Sequence, residues 1–170
     1  MIQIINTDIP RDSNRRIINL LFYATWTFGQ DYSESNLNKS DTGFTLNTYH
    51  KSNVPCLENK ELNAYAYMIL DIVNKNSFIK INDVSRIFWN WYHPGSQTEY
   101  HKDSNSEKEY SIVYSIHDND GGTEFKVNDE IKFYKSTESK ALLFPSIVYH
   151  RGKAPKKNLN RFNLNIMGKI

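Results

Sequence analysis

His101-Lys102-Asp103 sets an imidazole and a carboxylate two residues apart, and in an extended chain those two side chains leave the same face of the backbone. Both can then reach one metal ion. An HxD step arises by chance in many chains and needs a third ligand, which the C-terminal half offers as His150, at the end of the apolar run ALLFPSIVYH. Two histidines and one carboxylate on one face of an octahedron leave three positions open, the arrangement that suits a non-haem Fe(II) oxygenase. Zinc accepts the same three ligands, so the ligands alone leave both metals open. No Ser/His/Asp or Cys/His arrangement in the chain supports nucleophilic catalysis instead.

Elements that could position these residues are legible from the periodicity. In the first half, Asp12-Ser13-Asn14 predicts the cap of a helix running through Arg15, Ile17, Ile18, Leu21 and Phe22. A second helix, from about Glu58 to Asn74, puts Leu62, Tyr65, Ala66, Ile69, Leu70 and Val73 on one face. Between them, residues 29–56 are rich in Ser, Asn, Asp and Gly, with a short strand expected at Phe44–Tyr49. From Asp83 onward the period changes to two. Runs at 84–92, 110–117, 123–127, 131–135, 140–144 and 161–167 read as strands separated by Gly, Pro, Asn and Asp. Pro145 and Pro155 are expected to end strands. The predicted fold is mainly β, a sandwich or jelly roll with helices packed outside.

At 170 residues the chain is expected to form one domain, with 1–83 as helical support and loops and 84–170 as the jelly-roll core. A composition of 39% hydrophobic and 24% charged residues excludes collagen-like and broadly disordered chains. No apolar run approaches the ~20 residues that cross a bilayer, and the N-terminal sequence lacks the pattern of a secretory signal. Together with the single Cys56, this leads us to expect a soluble, cytoplasmic protein with no internal disulfide. The formal net charge of +2 argues against bulk nucleic-acid binding, although residues 151–170 carry Arg151, Lys153, Lys156, Lys157, Arg161 and Lys169 with no acidic residue among them.

The succession NWYHPG (90–95), HKD (101–103), YSIVYSI (110–116), GGTEF (121–125), ALLFPS (141–146), His150 and Arg161 resembles the iron(II)- and 2-oxoglutarate-dependent dioxygenases, specifically the prolyl 4-hydroxylase-like branch. The resemblance covers residues 84–167. It implies a double-stranded β-helix, the cupin-like jelly roll, with Fe(II) held by His101, Asp103 and His150. It also implies 2-oxoglutarate and O2 as cosubstrates, with succinate and CO2 as co-products. Arg161 resembles the basic residue of the last strand that pairs with the far carboxylate of 2-oxoglutarate, a task for which a planar, permanently charged guanidinium is suited. Tyr92 and Asn90 stand where some relatives contact the cosubstrate, Tyr114 on the next strand is a second phenol able to donate to the same carboxylate, and Asn163 is placed near the keto-acid end. On the strand 161–167 the polar Arg161, Asn163 and Asn165 alternate with Phe162, Leu164 and Ile166, so one face would line the site.

The branch resemblance points to a protein or peptide substrate, proline first. Oxidative demethylation or hydroxylation of nucleic acid is the alternative, because NWYHPG and RFNLN also resemble the repair demethylases; Met167 stands in the region where those carry a second arginine. A non-catalytic jelly-roll binding module is the alternative from another class. The remaining histidines, His50, His93 and His117, read as surface or satisfied loop residues, and Trp89 and Trp91 as core. Gly121-Gly122 read as a tight turn. Residues 29–56 and 104–109 are candidate substrate-covering loops. Abundant Asn, Lys and Ile would suit an AT-rich genome, such as that of a bacterium or its virus.

Overall fold

Alternation of apolar and polar side chains in the second half produces strands with two differently dressed faces, and those faces organise the molecule. The structure is a computed structural model and describes residues 1–28, 42–52, 56–96, 98–128, 130–157 and 159–170. Ten strands are described: β1 (Gln3–Asn6), β2 (Thr27–Phe28), β3 (Phe44–His50), β4 (Asp83–Tyr92), β5 (Glu109–Ser115), β6 (Gly122–Val127), β7 (Glu130–Lys135), β8 (Lys140–Pro145), β9 (His150–Lys153) and β10 (Arg161–Lys169). They form a seven-stranded sheet in the order β1-β8-β5-β10-β4-β3-β2 and a three-stranded sheet in the order β7-β6-β9, every pairing antiparallel. This is the jelly roll expected. Three strands from the first half complete the large sheet, so its core does not begin at residue 84.

One face of the large sheet, carrying Ile87, Trp89, Ile112, Tyr114, Leu143, Leu164 and Ile166, packs in one cluster with two helices. Helix α1 (Arg11–Phe22) contributes Ile17 and Leu21, and helix α2 (Lys60–Lys75) contributes Leu62, Ala66, Ile69, Leu70 and Val73. Burying these side chains supplies ~1.5–3 kcal/mol each. The opposite face meets the small sheet through Val113, Phe125, Leu142 and Phe144, which close one end of the barrel. Its other end is lined by the polar face of β10. None of the described helices is long and apolar enough to cross a membrane.

The helix caps differ from the reading in one respect. Asn59 caps α2, its side chain accepting the Leu62 N–H at 3.0 Å. Helix α1 instead starts at Arg11, with Pro10 at the cap position, and the predicted capping residues Asp12, Ser13 and Asn14 all lie inside the helix, Asn14 fully buried. Pro10 has φ preset for a helix start, and Asn14 is taken up by the Tyr114 hydroxyl, Ser139 and Glu138. Strands β1, β2 and β9 were not expected. β1 buries only Ile5, and β9 reads His-Arg-Gly-Lys, without apolar alternation.

Candidate metal centre

His101 and Asp103 lie between β4 and β5, and the backbone anchors both. His101 and His150 form an isolated antiparallel bridge, each N–H donating to the other's carbonyl at 2.9 Å, and the Asp103 N–H donates to the Ser146 carbonyl at 3.0 Å. Gly95, with φ +88, sits in the turn that brings the chain back toward this bridge. Two residues distant in sequence thus face each other, and the i, i+2 step adds the carboxylate. His101 Nε2 is 3.6 Å from Asp103 Oδ1, and His150 Nε2 is 3.5 Å from Asp103 Oδ2. All three donor atoms fall within 4.8 Å of one another. Donors about 2.1 Å from an ion and at right angles stand about 3 Å apart, so this trio fits one face of a coordination sphere with a small contraction.

Second contacts fix which atoms are offered. His101 Nδ1 lies 3.1 Å from the Glu99 carbonyl and His150 Nδ1 2.9 Å from the Val148 carbonyl, so each ring turns its Nε2 lone pair to the shared point. Asp103 Oδ2 accepts the Ser111 hydroxyl at 2.6 Å, and Ser111 is in turn 2.8 Å from the Ser146 hydroxyl. Burial alone would raise the Asp103 carboxyl; the His150 and His101 imidazoles and the Ser111 hydroxyl overcome it and hold it well below the usual carboxylate range. Burial pushes the His150 imidazole below its ordinary 6.5, helped by His101 and opposed by Asp103 and the Val148 carbonyl. At neutral pH the trio is therefore an ionised carboxylate and a neutral buried imidazole beside His101, the protonation state a metal requires.

The same shifts set a pH dependence of stability. His117, half-buried, is also displaced downward, by burial first and then by Arg161. Below about pH 6.5 the unfolded chain takes up protons that folded His150 and His117 resist, so their contribution is full above that pH and is lost as pH falls. Thermal unfolding of the metal-free protein should shift to lower temperature between about pH 7 and pH 5, and His150→Gln should flatten that trend. An unchanged slope in the variant would contradict the assignment.

Across the cleft, Arg161 opens β10 and is 1% exposed. Its Nε donates to the Ser136 hydroxyl at 2.9 Å and its Nη2 to the Thr123 hydroxyl at 3.3 Å, while its guanidinium stacks 4.9 Å from the centre of the Tyr92 ring. Register places Tyr92 opposite Arg161 and Asn90 opposite Asn163. Asn90 accepts the Thr45 hydroxyl at 3.2 Å, and Asn163 donates to Asn165 at 3.1 Å. The Oδ1 of Asn163 is buried without a hydrogen-bond partner among the described residues. His101, Asp103, His150, Arg161, Tyr92, Asn90 and Asn163 all line one cleft with Thr123, Gly152 and Asn165. It is narrow, with about 20 Å³ open.

Tyr114 is the exception among the expected site residues. It is fully buried on the helix face of β5, opposite Leu164 of β10, and its hydroxyl donates to Asn14 at 2.6 Å. Val113, its neighbour, points into the cleft instead. The other histidines are local: His50 pairs with the Ser52 hydroxyl, His93 with the Pro94 carbonyl, and His117 Nε2 accepts the Phe162 N–H. Trp89 is core, and Trp91 stacks on Phe44 at 4.7 Å. Of the candidate covering loops, 29–41 and 53–55 lie outside the described residues, Phe44–His50 is strand β3, and 104–108 form bends and turns between Asp103 and β5. Sequence reading missed Ser111, Ser136 and Gly152, none of which carries a motif of its own.

No family model matches the chain, and no curated protein does. Solved structures do match, at low identity. A prolyl-4-hydroxylase from Pseudomonas putida is 14% identical, with a TM-score of 0.66 over 99% of this chain and 92% of that one. A prolyl hydroxylase from Trichoplax adhaerens, in complex with a hypoxia inducible factor oxygen degradation domain peptide fragment, is 12% identical, with a TM-score of 0.72 over 99% and 83%. The epimerase SnoN, in complex with Fe3+, alpha ketoglutarate and nogalamycin RO, is 9% identical, with a TM-score of 0.70 over 99% and 78%. This chain has the fold those proteins share.

Proposed function

We propose that this chain is an iron(II)- and 2-oxoglutarate-dependent dioxygenase that hydroxylates a side chain of a protein or peptide, proline first. The observation that carries the reading is the convergence of His101, Asp103 and His150 on one point, with a buried guanidinium in the same cleft. Two imidazoles and one carboxylate form a hard, mixed donor set with room for three further ligands, which fits a ferrous ion. When bound, the iron supplies the O2 chemistry in which oxidative decarboxylation of 2-oxoglutarate to succinate and CO2 drives insertion of oxygen into a C–H bond.

What the protein contributes is orientation and charge. Ser136 and Thr123 hold the Arg161 fork in place, and its remaining charge neutralises the distal carboxylate of the cosubstrate. Tyr92 closes over the guanidinium and excludes water from that pair. Asn163, with its unpaired buried oxygen, stands between Arg161 and the ligands' side of the cleft and offers hydrogen bonding to whatever enters there. A peptide target is supported by the branch that the motifs resemble and by fold neighbours that include prolyl hydroxylases, one of them carrying a peptide.

Succinate release tests the reading: it should require Fe(II), 2-oxoglutarate and O2 together and should rise when a peptide substrate is added. Succinate that forms equally without Fe(II) would refute it. Tyr92 also gives a more selective expectation. A β-carbon on Gly152 would overlap the Tyr92 hydroxyl, so Gly152→Ala displaces that ring. Overpacking of about 1–3 kcal/mol should raise the 2-oxoglutarate concentration for half-maximal turnover about tenfold or more, with Fe(II) affinity little changed. Equal losses in both would place Gly152 in the metal site instead.

A further inference from the structure

Beside the metal centre lies a groove of about 650 Å³, bounded on one wall by Gly95, Ser96, Thr98 and Glu99 and on the other by β9 and its continuation to Lys156. Gly152 lines both this groove and the metal cleft, so the two adjoin at that residue. β9 pairs with β6 along one edge only. Its second edge is bridged at His150 by His101 and held at the Gly152 carbonyl by the Thr98 hydroxyl, and the groove runs alongside it. A groove that runs alongside a strand suits an extended peptide held by its side chains.

The walls are basic by construction. Arg151, Lys153 and Lys156 line the groove against one lining carboxylate, Glu99. Beneath them Glu124, 5% exposed, receives Arg151 at 2.7 Å, Lys153 at 2.5 Å and the Tyr100 hydroxyl at 3.2 Å. That buried carboxylate spends its lone pairs on holding two cations in position, while their side chains stay 35% and 40% exposed. Lys126 and Arg151 both pack against the Tyr100 ring, at 4.1 and 4.4 Å, and Lys102 packs on Tyr149 on the other side of the histidine bridge. Cations therefore surround the mouth on two sides. Among the described residues that line the groove there is no aromatic side chain of the kind on which single-stranded nucleic acid stacks.

We propose that this groove receives an extended acidic peptide, whose Asp or Glu side chains flank the residue to be hydroxylated and meet Arg151, Lys153 and Lys156. The substrate class deepens the proposed activity and rests on it, but binding can be measured without turnover. The probes are a fluorescein-labelled decapeptide with a central proline flanked by Asp and Glu, its Asn/Gln counterpart, its Lys counterpart and a labelled ten-nucleotide oligothymidylate. Anisotropy titrations on the full chain, with and without Fe(II) and 2-oxoglutarate under anaerobic conditions, should show the acidic peptide about tenfold tighter than the Asn/Gln peptide at low salt, converging as salt rises. Lys156→Glu, at an exposed position, should reduce that preference about fivefold, and Lys153→Gln should do so in a background that leaves Glu124 paired with Arg151. Acidic and neutral peptides binding within about twofold of each other would overturn the proposal, as would tighter binding of the oligonucleotide or a preference that survives Lys156→Glu. Failure of the iron chemistry with charge selectivity intact would count against the enzyme and leave the groove standing.

Discussion

Asp103→Asn should lower Fe(II)-dependent succinate release by about a thousandfold or more while the fold persists. The substitution keeps the shape of the side chain and removes its charge from between two imidazoles 3.5 and 3.6 Å away. An iron ion there loses its one anionic ligand; each 1.36 kcal/mol of that loss is tenfold, so a thousandfold corresponds to about 4 kcal/mol. An amide oxygen can still accept the Ser111 hydroxyl, so the Ser111–Ser146 contact and the Asp103 backbone bond to Ser146 remain. The thermal midpoint of the metal-free variant should therefore stay within a few degrees of wild type, whereas stabilisation by added Fe(II) should vanish. Near-normal turnover in the variant would remove Asp103 from the ligand set.

Arg161→Met carries the second large effect, and its signature differs. Methionine fills much of the space without offering a charge or a donor, so a dicarboxylate loses its partner in a desolvated cleft. Truncating one side of such a pair costs about 2–5 kcal/mol, which corresponds to a rise of about thirtyfold to several thousandfold in the 2-oxoglutarate requirement. Fe(II) affinity in the absence of cosubstrate should hold, because Arg161 is tied to Ser136, Thr123 and Tyr92. Stability of the metal-free protein is a balance: two hydroxyls lose a partner, while a buried cation disappears whose desolvation opposed folding. The net change is expected to be small. Arg161→Lys should recover part of the affinity, since it restores the charge without the fork. A variant that binds 2-oxoglutarate as wild type does would place the distal carboxylate elsewhere.

The parts of this site that were legible in the sequence are those whose chemistry is local or whose face is set by period two. His101 and Asp103 share a face because they are two residues apart. Arg161, Asn163 and Asn165 share one because β10 alternates with Phe162, Leu164 and Ile166. Tyr114 shows where this reasoning stops. β5 alternates between two faces, but both are buried, so the run YSIVYS does not say which side meets the cleft. That follows from cross-strand register, which sets Tyr114 against Leu164 and leaves Val113 with the polar face. Asn14 is a related case: its type favours a helix cap, yet tertiary contact with Tyr114 places it within α1.

Strand β9 was illegible for the opposite reason. A strand with a metal ligand on one residue, a glycine under Tyr92 on another and groove-lining cations between carries no apolar pattern at all. Positions that work on ligands are released from packing, and periodicity is a record of packing. Ser111 and Ser136 were hidden likewise, since a buried serine that orients a carboxylate or a guanidinium looks in sequence like any other serine on a strand or turn.

The most direct test of the central claim is anaerobic titration of the full chain with Fe(II) and then 2-oxoglutarate, followed in the visible spectrum. One ferrous ion per chain, with a weak charge-transfer band that appears only when 2-oxoglutarate joins it and is absent in Asp103→Asn, is the predicted result. No band at saturating iron and 2-oxoglutarate, or a band that survives Asp103→Asn unchanged, would contradict the account.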